Sequence, residues 1–345
     1  MPKTDQVKNM FDKRLLKLSI NKFSLNLNNK TVLTEAATGN YVVTSVIAAL
    51  SCAKVYAFTK NSSYGSIENV KNQTYHLAED MGVKDKITII EDLNELNLRD
   101  IDIVTNTGFL RPINREFISQ LSSECVIPLM WEPWECRKGE LDLDACHEYG
   151  IKVYGTNESD ERLRTMEYIG YTVLCLLLNN GLSPFSSNVL LVGCHRFTNP
   201  VERILKQNNY ETLKVTDYSS PVNAKEFKSI IVLEHERDIL VIGGNSAFIN
   251  KNEIDYNTLV IHVCGNVLFN NARFRFVPNE PAAFGHMSFT TDYVDNMAVI
   301  DLHTAGLKVA EGMLSANSAG LKGEEYKLFM EKNYPALGFD DQKYW

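Results

Sequence analysis

The sequence predicts an α/β protein of two doubly wound parallel-sheet domains, Rossmann- or flavodoxin-like, joined by a long interdomain helix. Three observations carry this expectation. From Lys30 onward, short apolar runs alternate with helical patterns, and strands joined through helices pair in parallel. The alternation pauses at a long apolar helical pattern, 161–178, and restarts after Gly181-Leu182-Ser183-Pro184. A length of 345 residues corresponds to two domains at about 150 residues each.

Residues 1–30 are polar and rich in Lys and Asn, with a short amphipathic stretch at 11–18, and read as an arm outside the core. A strand at 31–34, a helix at 41–53 and a strand at 54–58 follow. Next come a helix at 69–81 closed by Gly82, strands at 87–90 and 102–105, a helix at 114–121 and a strand at 126–130. A helix at 143–149 and a strand at 151–154 complete the first half. The helix at 161–178 is apolar on most sides from Tyr168 and is expected to be buried between the domains. Beyond it the pattern gives strands at 188–192, 212–216, 230–233, 239–242, 258–263 and 298–300, with a helix at 199–207. The expected division is a substrate or catalytic domain at 1–160 plus 302–345 and a dinucleotide-binding domain at 161–301.

Composition narrows the function. The net charge is -8, which argues against a nucleic-acid binder needing a basic face. No apolar run approaches the ~18 residues of a membrane-crossing helix, and the start lacks a signal-peptide pattern, so the expected location is the cytoplasm. Seven cysteines without a Cys-x-x-Cys pair point to reduced thiols, with neither a disulfide framework nor a metal site. The 19 glycines fall below the average share of ~7%, leaving few for a phosphate-binding loop.

The most informative segment runs from Asn188 to Asp217. An apolar strand, a turn at Gly193, a helix start at His195, Arg196 and Phe197, and a second strand ending at Asp217 have the layout of a dinucleotide-binding β-α-β unit. Asp217 lies 24 residues after Gly193, against about 20 expected, and an acid there accepts from a ribose 2′-hydroxyl and favours NAD over NADP. His195 and Thr198 occupy the two later glycine positions. Gly243, closing a later strand, joins the expected nucleotide contacts. A second candidate site collects at expected strand ends, at Thr38, Gly39 and Asn40 and at Asn106 and Thr107, since ligands gather at the carboxyl ends of parallel strands. Trp131 and Glu132, in the run Met130-Trp131-Glu132-Pro133-Trp134-Glu135, set carboxylates beside indoles and suit a cationic or amine-bearing ligand.

Several segments in order resemble the D-2-hydroxyacid dehydrogenase family. These are Leu143 to Asn157, the helix at 161–178, Asp238 to Ile242 followed by Phe248 to Ile254, and the run Asp295-Asn296-Met297-Ala298-Val299-Ile300-Asp301-Leu302-His303-Thr304-Ala305-Gly306. The resemblance covers roughly residues 100–315. It implies NAD(P)-dependent hydride transfer on a small-molecule substrate, with His303 as acid–base and Glu280 of Asn279-Glu280-Pro281 as its partner, in a homodimer. The family's substrate-gripping arginine has no counterpart in Cys264-Gly265-Asn266-Val267, and Arg111, Arg273 and Arg275 are the guanidiniums left to replace it. Two other readings are a non-catalytic ligand- or partner-binding member of the fold and an S-adenosylmethionine-dependent methyltransferase opening at Thr34 to Tyr41.

Overall fold

The computed structural model describes residues 13–63, 65–137, 139–236, 238–284 and 286–340. The chain divides into two compact units, Met1–Leu163 with Asn296–Trp345, and Arg164–Asp295.

In the first unit, α1 (Lys13–Phe23) precedes β1 (Thr31–Glu35), α2 (Val43–Leu50), β2 (Lys54–Phe58), α3 (Ile67–Asp80), β3 (Ile87–Ile90) and β4 (Ile103–Val104). These are followed by α4 (Arg115–Ile118), β5 (Val126–Pro128), α5 (Leu143–Glu148) and β6 (Lys152–Thr156). The second unit holds α6 (Thr165–Asn179), β7 (Asn188–Gly193), α7 (His195–Gln207), β8 (Glu211–Val215), β9 (Ser229–Leu233), β10 (Leu240–Gly243), β11 (Ile249–Asn250), β12 (Leu259–Cys264), β13 (Asn266–Val267) and β14 (Arg275–Val277). The chain then returns to the first unit with α8 (Met297–Ser318), α9 (Gly323–Asn333) and β15 (Ala336–Leu337).

The first unit is built on a seven-stranded sheet, β15-β6-β5-β4-β1-β2-β3, parallel except for β15. The second has a parallel five-stranded sheet, β14-β12-β9-β7-β8, and a separate three-stranded sheet, β11-β10-β13. Every residue of β9 and of β12 is buried, as in strands covered on both faces. Local chemistry sets the helix ends. Ser66 and Asp142 accept from the backbone of Asn69 and Ala145 at the starts of α3 and α5, as N-cap side chains do.

Four expectations change. Residues 13–23 are not an arm: Leu16, Ser19 and Phe23 lie on one face of α1 and are buried, and Phe11 lies outside the described residues. Residues 298–300 are not a strand but the first turn of α8. That helix is buried along most of its length, so it loses the 3.6-residue polar rhythm by which a helix is recognised. Helix α6 begins at Thr165 rather than 161, behind Arg164 at φ +54°, and exposes Tyr171 and Leu178. Helix α7 begins four residues earlier than the expected 199, at His195.

Candidate functional site

The second unit gathers its polar groups at the carboxyl ends of β7, β8 and β9. Gly193, the last residue of β7, has φ +150°, and a Cβ there would stand 1.9 Å from the Leu233 carbonyl oxygen. This glycine is required by the close approach of β7 to β9, whatever binds beyond it. Helix α7 starts immediately after. Thr198, in the place of a later glycine, turns inward and donates through Oγ1 to the Cys194 carbonyl at 2.9 Å. His195 is exposed, and its Nε2 meets Thr216 Oγ1 at 3.2 Å. The His195 side chain is thus aimed at the end of β8. Asp217, exposed, accepts from the Ser219 backbone and hydroxyl, which holds its carboxyl below the ordinary value. Phe197 is buried in the core, and Arg196 lies near its ring. Gly243 belongs to the three-stranded sheet, where a Cβ would press on Leu240 and Ala247, so packing alone accounts for a glycine there.

Sequence reasoning missed Glu234. It follows β9, is 1% exposed, and accepts from Tyr218 Oη and from the backbone of His235 and Glu236. Cys194, Glu234 and His235 bring one ligand atom each to within 4.8 Å of one another, a donor set of the metal-binding type. The carboxylate is, however, already committed to three protein donors.

The segment after β14 is pinned to the end of β12. Buried His262 has its Nε2 2.9 Å from the Gly265 carbonyl and its Nδ1 2.6 Å from Ser288 Oγ. A carbonyl only accepts, so the proton sits on Nε2 and the Ser288 hydroxyl donates to Nδ1. Ser288 Oγ in turn accepts from Ala282 N at 2.9 Å, and Ser288 N donates to the Val263 carbonyl at 2.8 Å. Exposed Glu280 and exposed His286 both ride on this pinned segment.

His303 stands elsewhere. It lies inside α8 in the first unit, 5% exposed, with Nδ1 bonded to Thr44 Oγ1 and its ring 5.7 Å from that of Tyr41. Burial pushes its pKa down to about 4, so the ring is neutral near pH 7. A neutral ring sealed between helices and bonded to Thr44 has the character of a core histidine. The expected acid–base role needs a ring that reaches solvent or substrate.

The first unit has its own polar corner at the carboxyl ends of β1, β4 and β5. Asn106 Oδ1 accepts from Met130 N, and the hydroxyls of Thr34, Thr105 and Thr107 form a buried chain. Glu132 is 1% exposed and accepts from Trp134 Nε1 at 2.7 Å and Glu158 N at 3.0 Å. Its carboxylate thus ties the segment after β5 to the segment after β6. Trp131 instead stacks under Arg111, 5.0 Å from ring centroid to guanidinium, and Arg111 pairs with Glu140 at 2.7 Å. Gly39 has φ +61° and donates to Gln73, while Thr38 and Asn40 flank it at the start of the turn into α2. The second missed residue is Glu35, the last of β1: 8% exposed, it accepts from Phe109 N at 2.9 Å, and burial raises its pKa against the pull of that amide, Arg111 and Lys60. A charged residue ending an otherwise apolar strand was the available signal.

Comparison with solved structures places the fold. A dipicolinate synthase subunit from Bacillus halodurans is similar with a TM-score of 0.52 at 12% identity, over 83% of this chain and 97% of that one. A protein from Ralstonia solanacearum, provisionally described as a D-3-phosphoglycerate dehydrogenase, is similar with a TM-score of 0.50 at 11% identity, over 85% of this chain and 95% of that one. The chain shares the two-unit α/β fold of these two structures. At these identities the likeness is one of fold. No protein-family model matches the chain, and no curated protein matches it in sequence. Among the described residues, no helix of this fold is long and apolar enough to cross a membrane.

Proposed function

We propose that the protein is an NAD-dependent oxidoreductase whose nucleotide lies on the carboxyl ends of the five-stranded sheet in the second unit. The observation that carries this reading is the β7-α7-β8 arrangement. The start of α7 offers backbone N–H groups to an anion, His195 is drawn aside to Thr216, and the exposed carboxylate of Asp217 stands two residues past β8, positioned to accept from ribose hydroxyls and to repel a 2′-phosphate. Fold analogy adds the rest as analogy.

Within this reading the nucleotide supplies or receives the hydride. The chain's own contribution is a proton, and His286 is the better donor than His303. It is exposed, it shares a segment with Glu280, and the His262–Ser288 lock fixes that segment to the sheet. An imidazole so held can protonate a substrate oxygen or nitrogen as hydride reaches the adjacent carbon.

Titrating the protein with NADH while following nicotinamide fluorescence tests the proposal. Saturable binding that Asp217→Ala weakens about tenfold, a loss of about 1.4 kcal/mol, is the expected result. Absence of binding at millimolar NADH overturns it. His286→Ala should then leave NADH affinity intact and lower turnover about 10²- to 10⁴-fold. A non-catalytic binding protein tolerates that change.

A further inference from the structure

Cys194, Glu234 and His235 reach one place from the ends of two strands. Cys194 follows β7, and its backbone N–H donates to the Leu233 carbonyl at 3.2 Å; Glu234 follows β9, and its N–H donates to the Cys264 carbonyl at 3.1 Å. The sheet therefore holds the backbone at both positions. A thiol sulfur, a carboxylate oxygen and an imidazole nitrogen lie within 4.8 Å of one another. Cys194 and Glu234 are 40 residues apart, so no short Cys or His spacing announces the group, and the expectation of no metal site, drawn from such spacing, does not reach it.

The surroundings set each donor for a cation. A carboxylate has about four acceptor positions. On Glu234, Oε1 takes the amides of His235 and Glu236 and Oε2 takes the Tyr218 hydroxyl, which fixes the group and leaves one position on Oε2. His235 turns Nδ1 to this carboxylate, 3.4 Å from Oε1, and Nε2 to Glu236 Oε1 at 3.7 Å. A carboxylate facing the far ring nitrogen is the arrangement that orients a metal-binding imidazole. The Phe197 ring stands at right angles to that of His235, 5.9 Å between centroids, and supports it from the core side. An ion pair between a protonated His235 and Glu234 accounts for two of the three donors and gives the thiol no part. A thiol beside a carboxylate and an imidazole is the mixed set that suits a borderline-soft divalent ion.

We infer that Cys194 Sγ, the Glu234 carboxylate and His235 Nδ1 bind one divalent cation of the zinc type. Tetrahedral bonds of about 2.0–2.3 Å put ligand atoms roughly 3.3–3.6 Å apart, so binding asks the side chains to close in by at most about 1.5 Å. Cys194 and His235 are both partly exposed, which gives the ion a way in. Three protein ligands leave the fourth tetrahedral position to water. The inference goes beyond the proposed nucleotide site and does not rest on it, because it uses neither the amides at the start of α7 nor Asp217.

The experiment is a titration of the full chain, first freed of metal with a chelator, with Co(II) as a spectroscopic stand-in for zinc. One equivalent should produce a thiolate-to-cobalt charge-transfer band in the near ultraviolet together with the visible bands of a four-coordinate ion. Zn(II) should bleach both and raise the melting temperature, by mass action on the folded state. Cys194→Ser should remove the near-ultraviolet band. Glu234→Gln, which keeps an oxygen for the two amides, and His235→Asn should each weaken Zn(II) binding at least tenfold in proteins that still melt cooperatively. Cys52→Ser, at an exposed thiol of the first unit, should leave the spectrum unchanged. The inference is overturned if no band saturates near one equivalent, if the band persists in Cys194→Ser or is lost in Cys52→Ser, or if either Glu234→Gln or His235→Asn binds Zn(II) as the wild type does. NADH binding that depends on Asp217 in a chain that binds no Co(II) overturns this inference and leaves the proposed function standing; Co(II) binding at Cys194 without NADH binding does the reverse.

Discussion

Lowering the pH should destabilise the protein through His303 in a way that a non-titrating residue at that position removes. The ring is sealed inside the first unit with its pKa near 4, whereas an unfolded histidine titrates near 6.5. Between those values the unfolded chain binds a proton that the folded chain refuses. The folded-state pKa is depressed, so stability is complete above about pH 6.5 and declines as pH falls toward 4. The slope reaches ~1.4 kcal/mol per pH unit, and the integrated loss is on the order of 3 kcal/mol. Carboxyls begin to contribute at the acid end of this range, where Glu140, Asp160 and Glu202 are held low by Arg111, Arg162 and the lysines at 206 and 214. The informative quantity is therefore the difference from His303→Asn, whose amide oxygen still accepts from Thr44. Urea unfolding at intervals from pH 7.5 to 4.5 should show the wild type's excess stability over the variant shrinking with acid. Parallel curves would refute the burial argument, and a turnover profile that follows His303 near neutrality would restore it as a catalytic acid.

Two further substitutions probe the frame around the second unit's site. Gly193→Ala places a methyl group 1.9 Å from a backbone oxygen that cannot rotate away, and it should cost more than ~3 kcal/mol, at the large end for point mutations. An unchanged urea midpoint would show that β7 and β9 separate easily. Ser288→Ala removes the donor to His262 and the acceptor for Ala282 N together, leaving polar groups unsatisfied at ~1–3 kcal/mol. Faster amide exchange confined to 278–290 is the expected signature, and unaltered exchange there would count against the lock.

The parallel sheets were legible because their strands are short, apolar on both faces and separated by helices, a pattern with few alternative folds. Choosing among the histidines was not legible in the same way. His303 attracted the acid–base role because Asp295 to Gly306 matches a family run in letters, and the neighbouring Ala-Val-Ile looked like a strand. Nothing in those letters reveals that the run lies along a helix buried by α1, α2 and the sheet, where Asp301 is held by Ser19 and Lys22. Burial is a property of what packs on a residue. His286 sits in a segment whose order depends on a hydrogen-bond chain from residue 262 to residue 288, a long-range fact that local pattern does not encode. Glu35 was hidden differently: it closes a correctly placed strand, and only its solvent exclusion and sparse bonding make it unusual.

The scarcity of glycine bears on function only through what a side chain would meet at each position. At Gly193 a Cβ would strike the neighbouring strand, so this glycine would be needed in a protein with no ligand at all, and its presence supports the fold more than the cofactor. The converse holds for His195 and Thr198. One turns to Thr216 and the other into the helix, so the replaced glycines do not by themselves close the anion position at the start of α7. Gly108 is a third case: its backbone conformation does not demand glycine, but a Cβ there would crowd Glu35 Oε2 at 3.2 Å, so the missing side chain leaves room for that buried carboxyl.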